Sequence, residues 1–373
     1  MINEERLISL FKDLCLINAP ALAERDVVEF VKAHLKGLGL EVLEDGAGEL
    51  IGGNANNLIA TLKGNKPGAP RIFLSAHFDT VEPTAGLVIE ERDGVFYSAS
   101  DTILGADDKA GMAPAIEAVR CLQETNEPHG DVVLLFSCAE EIGLLGADAL
   151  KIDELNLDFG YVLDTGPPVG TFVTRTANHD KIDFTVHGVP AHAGKDPEKG
   201  VNAICVVADA VSQIKVGRIG PETTNNLGII EGGTAVNVVC PSVTLRGEAR
   251  STSVQELDAV IESMKSAFTK AAQKWGATLE IDHERHYVAY DVPADSKVVE
   301  VAQKAARALG FSGNLRTTLG GSDANMYNKK GVPTIVVATG MDKIHTHDEY
   351  VSRQDLVDTA RLAYQLIVES ARG

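Results

Sequence analysis

Apolar positions near the start of the chain recur three and four residues apart: Leu7, Leu10, Phe11 and Leu14, then Val27, Val28, Phe30, Val31 and Leu35. That spacing predicts helices with one buried face over residues 1–40. Leu58–Leu62 and Arg71–Ala76 read as strands joined by a turn at Gly64–Gly68. Ala110–Leu122 reads as a helix with Asp107 and Asp108 at its acidic N-terminal end. Asp131–Cys138 is almost continuously apolar, the pattern of a strand buried on both faces. A short helix at Leu144–Leu150 and a short strand at Tyr161–Asp164 are expected next. Strands alternating with helices imply a parallel or mixed sheet with helices on its faces.

Near residue 177 the period changes. Ile182, Phe184 and Val186 alternate with polar residues, as on a half-exposed strand. A helix at Val201–Ile214 follows, then strand-like segments at Asn226–Ile230, Ala235–Val239 and Val243–Arg250. A helix at Val254–Lys274 and a strand at Thr278–Asp282 complete an α+β layer with a mainly antiparallel sheet. After Asp291 the first pattern returns, at Val298–Leu309 and Thr334–Ala338. The economical organisation is a discontinuous α/β domain, 1–176 and 291–373, interrupted by an inserted α+β domain at 177–290.

A length of 373 residues suits two domains, and 44% hydrophobic with 23% charged residues is ordinary for a globular chain. The formal charge of −19 argues against nucleic acid and against an anionic membrane surface as partners. No apolar run approaches the ~18 residues of a membrane span. The N-terminal segment has no basic stretch leading into an apolar one, so a secretory signal is not expected. The five cysteines form no CxxC pair and read as reduced thiols, consistent with a cytoplasmic protein.

Acidic and histidine residues gather in five clusters, each placed where a strand is expected to end: His77-Phe-Asp79, Asp107-Asp108-Lys109, Glu140-Glu141, Asp164 and His345-Thr-His347. Parallel strands bring their carboxyl ends to one crevice, where such folds bind ligands. Taken singly, each cluster has an ordinary explanation as a turn cap, an acidic helix start or a charged loop. Together they suit a divalent transition metal, zinc first. His77 and Asp79 share a strand face, so Asp79 can hold the histidine's other ring nitrogen. Asp107 has two carboxylate oxygens and can serve two ions. Adjacent Glu140 and Glu141 repel each other; one as ligand and one as general base would justify the pair. In the last cluster His345 and His347 compete as ligand. Gly143-Leu-Leu-Gly146 is not the glycine fingerprint of a nucleotide-binding oxidoreductase.

The set His77-x-Asp79-Thr-Val, Gly105-Ala-Asp-Asp-Lys-Ala-Gly111, Glu140-Glu141-x-Gly143, Asp164 and Ile344-His345-Thr resembles the M20 family of co-catalytic zinc peptidases and deacylases. Within it, the chain is most similar to the peptidase T-like, tripeptide aminopeptidase branch. The resemblance implies a zinc-peptidase-type catalytic domain with a mixed sheet, and an inserted lid or dimerisation domain. It implies two divalent ions, zinc or else cobalt or manganese. His77 and Asp164 would hold one, Glu141 and His345 the other, and Asp107 would bridge them. Glu140 would be the general base and Asp79 would orient His77. The residue after the bridge, Asp108, follows a cis peptide bond in such proteins. His192 would support the scissile carbonyl, in some relatives across a homodimer. Asn237, Arg250 and the Gly320-Gly321 loop would contact substrate. Short peptides are the implied substrates, with N-acyl-amino-acid deacylation the alternative. A non-catalytic binding protein is disfavoured because every expected ligand position is filled.

Overall fold

The structure, a computed structural model, describes residues 2–372. The chain divides into two compact units: Met1–Thr174 with Tyr290–Thr317 and Ser322–Gly373, and Arg175–Ala289 with Thr318–Gly321. No helix among the described residues is long and apolar enough to cross a membrane.

The first unit is built on an eight-stranded mixed sheet. Its order is Glu41–Glu44, Leu58–Leu62, Val132–Ser137, Ile72–His77, Phe159–Val162, Thr334–Val337, Thr171–Arg175 and Asn314–Thr317. The strands from Val132–Ser137 through Thr334–Val337 run parallel, and antiparallel pairs flank them. Every residue of Val132–Ser137 and of Ile72–His77 is buried, which explains the unbroken apolar runs there. The helix Ala106–Thr125 packs on strand Ile72–His77 and against helices Glu4–Cys15 and Arg353–Arg372. Arg6 reinforces that packing, its Nε donating to Glu117 Oε2 at 2.7 Å. Strands Ile89–Arg92, Val95–Ser98 and Tyr350–Ser352 form a separate small sheet.

The Gly64–Gly68 turn joins Leu58–Leu62 to Ile72–His77, with strand Val132–Ser137 lying between the two in the sheet. Two expectations need correction. Asp107 follows no strand of the main sheet. It stands at the start of helix Ala106–Thr125, reached from the small sheet through a loop. Ala235–Val239 is a turn whose single bridge joins Val238 to His192, and Val236 there is fully exposed.

The second unit carries a five-stranded antiparallel sheet, ordered Gly217–Gly220, Thr223–Gly232, Ser242–Ser251, Asn178–His187, Thr278–Tyr287. Ile182, Phe184 and Val186 face one way and pack with residues of helices Ala203–Val211 and Val254–Trp275. Phe184 stacks on Phe268 with centroids 3.9 Å apart. Phe184→Ala should therefore cost ~3–5 kcal/mol in denaturant unfolding. A cost below ~1 kcal/mol would contradict this core, since buried Phe truncations run well above it.

Candidate metal centre

The carboxyl ends of the parallel strands carry three of the five clusters. His77 is the last residue of its strand and is buried. Glu140 and Glu141 follow strand Val132–Ser137 closely, and Asp164 follows Phe159–Val162. The other two clusters arrive on loops. At Asp107 and Asp108 the backbone departs from helical values, and the peptide bond between them is cis. His345 has φ 62°, in the left-handed region that non-glycine residues rarely occupy.

These residues converge on Asp107. Its Oδ1 lies 3.1 Å from His77 Nε2 and its Oδ2 lies 3.3 Å from His345 Nε2. His345 Nε2 is also 3.1 Å from Glu141 Oε2. Two donor sets result, His77–Asp107–Asp164 and Asp107–Glu141–His345, with ligand atoms in each within 4.8 Å of one another. Asp107 belongs to both. His347 instead contacts Glu82 Oε1 at 2.9 Å and takes no part in either set.

The electrostatics describe a site short of positive charge. Burial raises the Glu140 carboxyl above its ordinary pKa, and Asp164, Asp323 and Glu141 add to that. Asp164 is raised likewise, by burial and then by Asp108 and Asp107. Burial would also raise Asp107, but hydrogen bonds from His345 and His77 outweigh it and hold it below the usual range. Conversely, Asp107 and then Glu141 push the His345 imidazole up to about 10. His77 is raised too, its burial overcome by Asp107 and Asp79. Glu141 Oε1 is buried with no hydrogen-bond partner. Imidazoles aimed at shared carboxylates, raised acids and an orphaned carboxylate oxygen fit divalent cations, whose charge would replace the protons. The donor set of two imidazoles and three carboxylates has the hardness that zinc and its neighbours accept.

Around the donors the packing is close. Asp108 Oδ2 accepts the His77 N–H at 3.3 Å and its Oδ1 accepts the Gly111 N–H at 3.1 Å. A Cβ on Gly111 would come within 2.0 Å of Leu163 O, so only glycine lets this helix lie against the Asp164 segment. Lys109, itself buried, donates through Nζ to Phe78 O. His77 Nδ1 lies 3.0 Å from the Asp79 main-chain oxygen and 3.4 Å from Asp79 Oδ1. The Asp79 carboxylate mainly accepts the Glu140 and Glu141 N–H groups, at 2.9 and 3.0 Å. Sequence reasoning missed two further buried acids at these loops, Glu24 and Glu349.

The remaining residues singled out from the sequence fall in the second unit. His192 and Asn237 are exposed neighbours, with Asn237 O accepting the Ala193 N–H at 3.0 Å. Arg250 is held by Glu248 (3.0 Å), Tyr287 Oη (3.2 Å) and Leu319 O (3.3 Å). Gly320 and Gly321 group with this unit, and a Cβ on Gly321 would meet the Tyr287 ring at 2.3 Å.

The profile of peptidase family M20/M25/M40 matches residues 73–369. A crystal structure of aminopeptidase PepT from Bacillus cereus ATCC 10987 is 38% identical, covers 99% of each chain and superposes with a TM-score of 0.89. A tripeptidase from Staphylococcus aureus subsp. aureus mu50 is 35% identical over the whole of both chains, with a TM-score of 0.95. The peptidase T of Exiguobacterium sp. is 26% identical over 412 aligned residues, covering 99% of this chain and 97% of that one.

Proposed function

Since the chain belongs to peptidase family M20/M25/M40, we propose that it releases the N-terminal residue of short unblocked peptides, tripeptides foremost, using two zinc ions and Glu140. The coarser part stands on the likenesses above: this is a peptidase T-like, metal-dependent peptide hydrolase. The observation that carries the finer reading is the pair of donor sets sharing Asp107. His77 and Asp164 would hold one ion, Glu141 and His345 the other, with Asp107 common to both. Cobalt and manganese are the metals the same donors would accept in place of zinc.

Held by these residues, two divalent ions would supply Lewis-acid polarisation of the scissile carbonyl and a lowered pKa for the attacking water. Glu140 accepts that water's proton and passes it to the leaving amine. Glu140 is suited to this exchange because it belongs to neither donor set and stands next to the ligand Glu141. His192 donates to the oxygen on which negative charge develops. Asn237, Arg250 and the Gly320-Gly321 loop are assigned to substrate contact, and a cytoplasmic homodimer through the second unit to the assembly. All of these follow the family resemblance.

The test is a panel of unblocked di-, tri- and tetrapeptides beside N-acetyl and N-succinyl amino acids. Chelation should abolish hydrolysis, and added zinc should restore release of the N-terminal residue from tripeptides. Activity confined to acylated substrates would move the protein to the deacylases.

A further inference from the structure

Glu140 and Glu141 stand on a turn and Asp107 on the non-helical first turn of helix Ala106–Thr125, and such irregular backbone does not by itself hold a side chain in place. Here their main-chain N–H groups end on buried carboxylates from distant parts of the chain. Glu349 accepts the Gly105 N–H through Oε2 at 2.7 Å and the Asp107 N–H through Oε1 at 2.9 Å. Glu24 accepts the Ala139 N–H through Oε1 at 2.8 Å. The same Oε1 takes the Leu22 N–H at 2.9 Å, while Oε2 is buried without a partner. Asp79 takes the next two N–H groups, so three consecutive ones, from Ala139 to Glu141, end on two carboxylates. The turn needs that hold, because Ala139 has φ 52°.

Both acids are 1% exposed and lie beside like charge, Glu24 near Asp79 and Glu349 near Asp107. Burying a carboxylate among carboxylates is costly. A neutral acceptor would satisfy an N–H at lower cost, as Asn57 Oδ1 does for Cys138 at 3.0 Å. Charged acceptors make shorter, stronger bonds, which matters where a side chain must be aimed.

We propose that Glu349 and Glu24 are positioning residues of this site: Glu349 sets the shared ligand Asp107, and Glu24 sets the turn that aims Glu140. The proposal rests on the ligand and base assignments above. It separates the two acids by function and by the atoms they use. Glu24 serves both N–H groups with one oxygen, so a glutamine there can do the same. Glu349 uses both oxygens, and a glutamine would turn an N–H donor toward one of its partners.

The experiment compares Glu24→Ala, Glu24→Gln, Glu349→Ala and Glu349→Gln with the parent. It reads kcat and KM on an unblocked tripeptide, zinc per chain, zinc affinity by chelator competition, and thermal unfolding. Glu24→Ala should lower kcat ~10–100-fold with KM unchanged, and Glu24→Gln should recover most of it. Glu349→Ala should weaken zinc binding ~10–100-fold, and Glu349→Gln should not restore it. If the alanine variants fail to fold, the glutamine pair still decides: active Glu24→Gln beside zinc-deficient Glu349→Gln supports the proposal, and equal behaviour overturns it. Parental kcat in Glu24→Ala, or parental zinc affinity in Glu349→Gln, overturns it as well. Glu140→Gln run alongside keeps the two ideas apart. Full turnover there would sink the base assignment; loss there with no loss in Glu24→Ala would sink this proposal alone.

Discussion

Glu140→Gln is expected to lower kcat on a tripeptide by ~10²–10⁴-fold, the range general-base removal costs, and to leave the metal content unchanged. Glutamine keeps the shape and length of the side chain, and the main-chain bond from the residue 140 N–H to Asp79 Oδ1 does not involve it. What it loses is the ability to take a proton. Glu140 belongs to neither donor set, so the ions should stay. The measurement is steady-state kinetics paired with elemental analysis of the same preparation. Normal kcat with both ions present would remove Glu140 from the mechanism, whereas loss of metal in this variant would reassign it as a ligand.

Asp107→Asn should have the opposite signature. Both Asp107 oxygens are in use, one facing His77 and the other His345. An amide replaces one of them with an N–H donor and removes the charge that both donor sets share. Loss of an outer partner of a ligand already costs ~10–100-fold in metal affinity, so loss of the shared ligand itself should exceed ~100-fold. Zinc per chain after dialysis should fall below that of the parent, with turnover falling alongside. If Asp107→Asn kept two tightly held ions, the shared-ligand reading would fail even with turnover abolished.

Much of this site was legible in the chain because its residues sit where backbone pattern changes. Val132–Ser137 is apolar at nearly every position since neighbours cover both faces, and the acids directly after it stand out. His77 closes a second such strand. The cis bond at Asp107–Asp108 was expected from the resemblance and is present. Glu24 and Glu349 were not legible for a physical reason. Glu24 precedes helix Arg25–Gly37 and looks like an ordinary acid at a helix start. Glu349 lies in a polar run after His345. Each bonds to main-chain N–H groups, and such a bond leaves no complementary residue type in the sequence to reveal it. Ala235–Val239 misled because short apolar alternation also fits a turn, and Val236 points to solvent rather than to a core. The small strands Ile89–Arg92 and Val95–Ser98 carry charged or half-exposed positions and gave no periodic signal.

The most direct test of the account is a zinc titration of the chelated protein, with tripeptide hydrolysis and bound metal measured at every step. The account predicts no turnover without metal, and activity that rises with bound zinc and levels off at two ions per chain. Full turnover in the chelated protein, or a plateau reached with one ion bound, would contradict a centre in which Asp107 serves two metals.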